Sequence, residues 1–511
     1  MKKIIDLFAG AGGLSLGFEQ EGFMISKAVE NNKWAKETYV KNHHDGIEVL
    51  DNIIDLHLDD KDIDVIIGGP PCQGFSNANR NKSSFINNNN LLVKEYFRII
   101  KEVTPKMFVM ENVNSILSDT HLFFLTKQDQ IIIEQLEVDI KEKVFSFAEF
   151  SETKEIITKY LQSVNMDDAS VNWEVFPLEM LKILKVLYRK KDKQDYFVNN
   201  VEKLSKLCST FQLSDVTLEN YRLDLEDAAT KKTFSTEVLD TIRKIIDYSK
   251  ATEFLTILLE KELLFKINPD LTVVLKSYSV NEYITKIVSE DYYLHPFILD
   301  ASDFGIPQKR KRYLLVGLSK NYFEDDIEFN FLEYRDNRFT ISDAIKDLES
   351  VPTSFEVNSL PVYGNETEEF NDYSKDLRDS ESIYNHIITE SRDNAINRFK
   401  ALQPGQNFHD LSKELKQTYA DATRTQNTIY QRLDYNKKSG TVVNVRKSMW
   451  VHPTIDRAIS IREAARLQSF PDSFIFYGTK DAQYQQVGNA VPPKLARIIA
   501  KKCTQMLSSL K

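Results

Sequence analysis

Cysteine is scarce: 511 residues hold only Cys72, Cys208 and Cys503, far apart, with no Cys-x-x-Cys pair and no histidine-rich partner. That pattern excludes a disulfide scaffold, offers no zinc site and fits a reducing compartment. Positive charge is not in excess either, since 66 Lys and Arg face 76 Asp and Glu, a formal net charge of −10. A polyanion would therefore have to be met by a local basic surface and not by bulk charge. No segment approaches the roughly 18 consecutive apolar residues of a membrane span. The opening MKKIIDLFAGAGGLSLGF has the outline of a signal peptide, but Asp6 breaks its apolar stretch and Gly10, Gly12, Gly13 and Gly17 suit a turn. The expectation is an untargeted, cytoplasmic chain with no membrane partner. Repeats are absent, and four asparagines at 87–90 form the one low-complexity tract. With 42% hydrophobic and 28% charged residues, the composition is that of a globular chain with two or three cores.

The first third alternates short apolar runs with amphipathic stretches: IIDLF, LSLGFEQEGF, IDVIIGG, LLVKEYFRIIKEV, KMFVM. Strands alternating with helices predict βαβ crossovers and a parallel sheet covered on both faces. From residue 119 to about 276, Gly and Pro nearly vanish and Leu, Ile, Lys and Glu recur at helical spacing, which predicts a mainly helical block. Residues 119–290 carry 23 basic and 30 acidic residues, a poor surface for wrapping phosphates. βα texture returns at FILDASDFGIPQKRKRYLLVGL, and TISDAIKDL predicts a short helix started by Ser342. Residues 349–457 are irregular and polar. Within them, 422–455 holds Arg424, Arg432, Lys437, Lys438, Arg446 and Lys447 against one acid, Asp434. Ser460 and Glu463 form a capping-box signature for IREAARLQ. Pro492-Pro493 opens a closing helix with Leu495, Ile498, Ile499 and Met506 on one side, expected to pack beside the first strand. These shifts divide the chain into 1–118 with 277–348, an insertion at 119–276, a region at 349–457 and a return at 458–511.

Three places carry chemistry. Ile4-Ile5-Asp6-Leu7-Phe8 followed by Ala9-Gly10-Ala11-Gly12-Gly13 is a strand feeding a glycine-rich turn at a helix start, where backbone N–H groups can meet a polar ligand. Glu30 closes the next strand, where an acid can grip ribose hydroxyls. Alone, this pattern leaves a nucleotide-type cofactor and a packing turn both open. Cys72, in Gly68-Gly69-Pro70-Pro71-Cys72-Gln73-Gly74-Phe75-Ser76, sits just past the carboxyl end of the strand IDVII. A lone cysteine is more often a buried structural thiol, yet the prolines and glycines around it argue for a loop held for function. In QKRKR, alternation puts Gln308, Arg310 and Arg312 on one face, so that two guanidinium groups can reach one site. A solvated basic run is the bland alternative, weakened because Tyr313-Leu314-Leu315-Val316 continues as a buried-type strand.

DLFAGAGG, GGPPCQGFS, Glu111-Asn112-Val113, Gln308-Lys309-Arg310-Lys311-Arg312, REAARLQSFPD and QVGNAVPP occur in this order, and together they resemble the ordered motifs of the DNA (cytosine-5)-methyltransferases of bacterial restriction-modification type. The resemblance anchors about half of the chain. It implies an α/β, Rossmann-like S-adenosylmethionine-dependent methyltransferase fold with a mainly helical insertion and a smaller DNA target-recognition domain at 349–457. The stretch 119–276 departs from the family, where the corresponding gap is much shorter; a platform for a protein partner and a steric extension of the DNA cleft are both open for it. The implied cofactor is S-adenosylmethionine, with S-adenosylhomocysteine as product and no metal. Phe8, Ala9, Gly10, Gly12, Gly13 and Leu14 would hold it, with Glu30 on the ribose and Asp51 near the adenine. Pro70 and Leu92 would line the pocket, and Asn489 with Ala490 would close it. At Asp51 the run LDNI departs from the family's Gly-Asp-Ile.

The chemistry explains the residue types. Carbon 5 of cytosine is a poor nucleophile until a thiolate adds at carbon 6, and Cys72 is the candidate thiolate. That addition puts negative charge on the ring, which a carboxyl at N3 relieves; Glu111 fits. By resemblance, Arg312 would hold the cytosine O2 and Arg310 would support the catalytic loop. The base must leave the duplex to be reached, and Gln73 and Ser76 are candidates to contact the DNA around it. Arg432, Thr441 and Arg446, with Tyr430, Tyr435 and Trp450 nearby, form the candidate DNA face, where Ser439-Gly440-Thr441-Val442 resembles a short family signature. The expected activity is methylation of cytosine carbon 5 within a short double-stranded DNA sequence, protecting DNA beside a cognate restriction endonuclease. That nuclease, or a protein bound by the insertion, is the candidate protein partner, and the chain is expected to be monomeric, prokaryotic and nucleoid-associated. The alternatives are a tRNA cytosine-5 methyltransferase, whose Cys-Phe-Thr element is absent, and a catalytically silent DNA-binding protein, against which Cys72, Glu111 and the arginine pair all stand.

Overall fold

The computed structural model describes residues 2–54, 56–60, 62–71, 89–118, 121–146, 148–163, 173–268, 270, 272–357, 362–363, 371–419 and 421–510. Cys72, Gln73 and Ser76 lie outside them. Two compact units divide the described residues: one takes 2–71, 89–117 and 287–510, the other 118–286.

The first unit begins with β1 (Lys2–Leu7), α1 (Gly13–Glu19), β2 (Phe23–Val29), α2 (Lys33–Asn42), β3 (Glu48–Leu50), β4 (Val65–Gly68), α3 (Asn89–Val103) and β5 (Met107–Val113). All of β4 and the first four residues of β5 are buried, the near-continuous apolar pattern of strands covered on both faces.

The second unit holds β6 (Leu122–Phe124), α4 (Gln130–Gln135), β7 (Lys141–Ser146), α5 (Ser151–Ser163), α6 (Leu178–Arg189), α7 (Lys193–Val198), α8 (Val201–Cys208), α9 (Val216–Lys231), α10 (Thr236–Glu260), β8 (Phe265–Ile267) and β9 (Thr272–Ser279), from which α11 (Val280–Val288) leads out. Its helices are capped locally: Asp215 accepts the N–H groups of Thr217 and Leu218, and Ser235 that of Val238. Met180, Leu184, Leu204, Leu225, Ile245 and Leu258 share one apolar core with Val273 and Leu275 of β9. The helical expectation missed the antiparallel sheet, in which β9 pairs with β6, β7 and β8. Cys208 is buried in this core.

The chain returns to the first unit through β10 (Tyr292–Asp300), β11 (Lys311–Ser319), α12 (Ile341–Ile345), β12 (Val362–Tyr363), α13 (Asp372–Leu377), β13 (Ser382–Ile383), α14 (Asp393–Ala401), α15 (Lys413–Lys416), α16 (Val445–Ser448), α17 (Ile461–Leu467), α18 (Lys480–Asn489) and α19 (Pro493–Ser508). The main sheet runs β10-β11-β5-β4-β1-β2-β3. Its β1 to β5 neighbours are parallel, while β11 is antiparallel to both β5 and β10. Strand order reverses between β1 and β4, which places a crevice at their carboxyl ends. The closing helix α19, expected beside β1, packs against α1: a Cβ on Gly17 would stand 2.4 Å from the Ala496 Cβ. Leu495, Ile499 and Met506 join Ile4 in one core. At α12 the start is Thr340, not Ser342. Thr340 and Asp343 close a capping box, and that reciprocal pair decides between two cap-competent residues.

Candidate active site

The carboxyl edge of the main sheet gathers the motifs of the first unit. After β1 the chain turns through left-handed backbone at Phe8 (φ 63°), Gly10 (φ 57°) and Gly12 (φ 94°). Nothing lies within 4 Å of the place a Gly10 Cβ would take, whereas a Cβ on Gly12 would meet His43 Nε2 at 1.9 Å. The turn is thus open on one side and closed by a buried imidazole on the other. A Cβ on Gly13 would meet the Val491 carbonyl at 2.3 Å and lie 3.3 Å from the Ala490 Cβ, so QVGNAVPP packs directly on the glycine-rich turn. Leu14 is buried in the core.

Glu30 follows β2. Its carboxylate accepts the Gly10 N–H at 2.8 Å and the Asn32 N–H at 2.6 Å. Burial raises its carboxyl above the ordinary value, opposed by these N–H groups and that of Asn31. Glu30 therefore shapes the glycine-rich turn itself, in addition to any ligand it holds. Asp51, just past β3, is exposed and pairs with Lys36 at 2.7 Å. Pro70 is buried, Leu92 is half-buried on α3, and Asn489 is exposed at the end of α18, accepting from Gln485 at 2.8 Å.

At the end of β5, Glu111 and Arg312 meet, Nε to Oε1 at 2.9 Å, both largely shielded. The register explains the meeting. Glu111 pairs with Leu314 and Val113 with Arg312, so Glu111 and Arg312 are diagonal neighbours on one face. A Cβ on Gly69 would lie 3.1 Å from Glu111 Oε2, which puts the start of the Cys72 loop beside this carboxylate. Asn112, a residue without an assigned role in the sequence reading, ties the same loop down: its Nδ2 donates to the Pro70 carbonyl at 3.0 Å. The signal for it was present, since it stands inside Glu111-Asn112-Val113.

Arg310 requires a correction in one respect: it is enclosed and not open to a ligand, although its backbone continues the pairing of β11, the Ala301 N–H donating to its carbonyl at 3.0 Å. Arg310 is 1% exposed and donates to the carbonyls of Val442 (3.0 Å), Gly488 (3.1 Å) and Ala490 (2.9 Å). Burial pulls it down to about 9, the Arg312 charge adding to the fall and the Glu111 carboxylate opposing it.

The candidate DNA face is corrected in part as well. Arg432 is 4% exposed and donates to the carbonyls of His452 (2.9 Å) and Phe399 (2.6 Å) and to Asp456 (2.5 Å); a guanidinium so enclosed does not reach a phosphate. Tyr430 and Trp450 are buried, and Tyr435 donates to Glu349 at 3.1 Å, so these aromatics support the region from inside. Arg446 is exposed, 3.1 Å from Asp481, and the Thr441 hydroxyl donates to the Lys309 carbonyl at 2.9 Å.

A family model described as C-5 cytosine-specific DNA methylase matches residues 2–139 and 271–505. The chain belongs to this family. It is 25% identical to the Type II methyltransferase M.DdeI of Desulfomicrobium norvegicum, over 98% of this chain and 88% of that protein. It is 26% identical to the Type II methyltransferase M.AgeI of Thalassovita gelatinovora, over 98% of both. A solved structure from E. coli, named as a prophage-encoded DNA modification methyltransferase, covers 100% of both chains with a TM-score of 0.56 and 20% identity, a likeness of fold. This DNA methylase therefore carries the Rossmann-like fold of S-adenosylmethionine-dependent methyltransferases and acts on carbon 5 of cytosine. Among the described residues, no helix is long and apolar enough to cross a membrane and no cluster suits a metal ion.

Proposed function

We propose that this DNA methylase modifies cytosine within one short double-stranded sequence, as the modification half of a restriction-modification pair. The observation that carries the reading is the Glu111–Arg312 pair, 2.9 Å apart beside the start of the Cys72 loop, where a carboxyl and a guanidinium can take N3 and O2 of one cytosine. The names of M.DdeI and M.AgeI point to the same class of system.

The flipped cytosine would lie with carbon 6 toward Cys72. Its thiolate adds there, one S–C bond forms, and the C5–C6 π electrons move onto carbon 5 and the N3–O2 edge. Glu111 at N3 and Arg312 at O2 hold that charge in a largely shielded place, where preorganised donors count for more than in water. Asn112 and Gly69 keep the thiol loop and the carboxylate in register. S-Adenosylmethionine, when bound, supplies an electrophilic methyl group; the open space over Gly10 and the inward Glu30 carboxylate fit it, with Phe8, Ala9, Gly12, Gly13, Leu14, Asp51, Pro70, Leu92, Asn489 and Ala490 around it. Residues 349–457 would read the DNA, with Thr441 and Arg446 among the contacts, and Gln73 and Ser76 would meet it beside the flipped base. Residues 119–276 would form the insertion, whose acidity suits a protein partner better than phosphates. A monomer in a bacterial cytoplasm completes the reading.

Methyl sequencing of DNA from a methylation-free host expressing the protein, against the Cys72→Ser variant, tests it. Cytosines of one short motif should be modified only with the intact thiol. Modification retained by Cys72→Ser would sink the mechanism. No modified DNA cytosine at all would overturn the substrate assignment and make tRNA the next substrate.

A further inference from the structure

Val442, next to Thr441 in the region assigned to DNA reading, is held by both of its backbone polar groups. Its N–H donates to Gln308 Oε1 at 2.8 Å, and its carbonyl accepts from Arg310 at 3.0 Å. The same short segment also pairs with the catalytic side at Ser439 and Thr441. The Ser439 N–H donates to the Pro307 carbonyl and the Lys309 N–H to the Ser439 carbonyl, both at 2.9 Å, and the Thr441 hydroxyl reaches the Lys309 carbonyl. Residues 439–442 thus run along 307–310 as an improvised strand pair, in which two side chains replace backbone partners at the final rung.

Gln308 does more than close that rung. It is wholly buried, and its Nε2 donates to the Leu467 carbonyl and to Gln468 Oε1, both at 3.2 Å. Gln468 in turn donates to the Val487 carbonyl. One amide therefore satisfies an N–H on the reading segment with its oxygen and two acceptors at the end of α17 with its nitrogen. A carboxylate lacks the donor and an apolar side chain lacks both, so the glutamine is chemically specified by its neighbours. Gln308 stands four residues before Arg312, which meets Glu111, so the place where the reading segment is pinned lies next to the place where cytosine is held.

We propose that Gln308 is a positioning residue for target choice: it sets the register of 439–442 over the catalytic edge, and so decides which sequence context is accepted without touching the cytosine. This rests on the reading of 349–457 as the DNA-reading region. The test uses the full-length protein and pairs the Gln308→Met variant with Gln468→Met, assayed on the cognate duplex and on duplexes with one neighbouring base pair changed. For Gln308→Met, S-adenosylmethionine affinity should stay within about 2-fold and the single-turnover rate on cognate DNA within about 3-fold. Discrimination between cognate and altered duplexes, as the ratio of kcat/KM, should fall by 10-fold or more. Gln468→Met leaves the Val442 rung intact and should change that ratio by less than about 3-fold. A loss of rate equal on all duplexes, with the ratio unchanged, would mean that Gln308 only supports the core, and would overturn the proposal. Should Gln308→Met lose the folded state by thermal unfolding, Gln308→Glu, which keeps the acceptor for Val442, carries the test: a ratio within about 3-fold of wild type is expected, and a 10-fold loss there would overturn the proposal. The Arg446→Ala variant separates the two readings. An unchanged affinity and salt slope for duplex DNA there would refute the DNA-contact role of the region and the proposal with it, whereas a lowered slope there beside an unchanged ratio in Gln308→Met refutes Gln308 alone.

Discussion

Replacing Asp6 by Asn tests whether the floor of the glycine-rich turn is built around a buried acid that is neutral at moderate pH. Asp6 is 1% exposed on β1; its Oδ2 accepts the Ser15 hydroxyl at 2.5 Å, and its Oδ1 has no hydrogen-bond partner among the described residues. Desolvation raises the carboxyl from 3.8 to about 8, the Ser15 hydrogen bond opposing and the Glu30 charge adding to the rise. In the unfolded chain the group ionises near pH 4. Between about pH 4 and pH 8 the folded protein therefore holds a proton that the unfolded chain has released, and stability falls as pH rises through that window. A rise from 3.8 to about 8, at about 1.4 kcal/mol per pH unit, bounds the penalty at about 6 kcal/mol by pH 8. An asparagine keeps the acceptor for Ser15 and does not titrate. Thermal or urea unfolding of the wild type and Asp6→Asn at pH 4.5 to 8.5 should give nearly equal stabilities at the acid end. The variant should gain several kcal/mol toward pH 8, on the order of the bound above. Titrations elsewhere occur in both proteins and cancel in the difference. A difference that stays flat across the range would refute the argument.

Further outcomes follow from the geometry. Gly12→Ala combines a left-handed φ with a Cβ 1.9 Å from the buried, Glu19-bonded His43 ring, so it should cost about 2 kcal/mol or more and weaken S-adenosylmethionine binding. Adding His43→Ala should recover the clash but not the φ cost, a coupling of about 1–2 kcal/mol in a double-mutant cycle. Arg432→Ala should destabilise by about 2–4 kcal/mol, because it leaves four carbonyls without their donor while the half-exposed Asp456 is rehydrated. Arg446→Ala should leave stability within about 0.5 kcal/mol and lower the salt slope of DNA binding by about 1. Salt titrations with equilibrium unfolding on both variants check the contrast.

The main sheet was legible because its strands are buried on both faces, so VIIG and MFVM read as continuous apolar runs. Caps were legible where a reciprocal pair exists: Ser460 and Glu463 close the box expected for α17. They misled where two candidates stand close together, as Thr340 and Ser342 do, because Asp343 is in reach of Thr340 alone as a reciprocal partner. The sheet of the second unit escaped for a different reason. β7 is almost wholly exposed and reads Lys-Glu-Lys-Val, a pattern that charged helix faces share. Its membership depends on β9, whose pairing partner at Lys143 is Leu275, far away in sequence.

The site divides along the same line between local and tertiary signals. Glu111 and Arg312 were visible because each lies in a short motif, and the diagonal register of β5 and β11 then brings them together. Counting positive charge treats Arg432 and Arg446 alike, although the first is enclosed and the second is exposed. What separates them is the supply of carbonyl acceptors: the last turn of α14 at Phe399 and the irregular backbone at His452, Pro453 and Ile455 turn their oxygens on Arg432, and a buried guanidinium with four such acceptors is a strut. Arg310 is the same device on the catalytic side, bracing Val442, Gly488 and Ala490. A loop-rich region leaves many carbonyls unpaired by helix or sheet, and arginine, with five fixed donors, is the side chain best able to collect them. In such a region a basic stretch therefore counts internal struts together with DNA contacts, and only the folded backbone tells them apart.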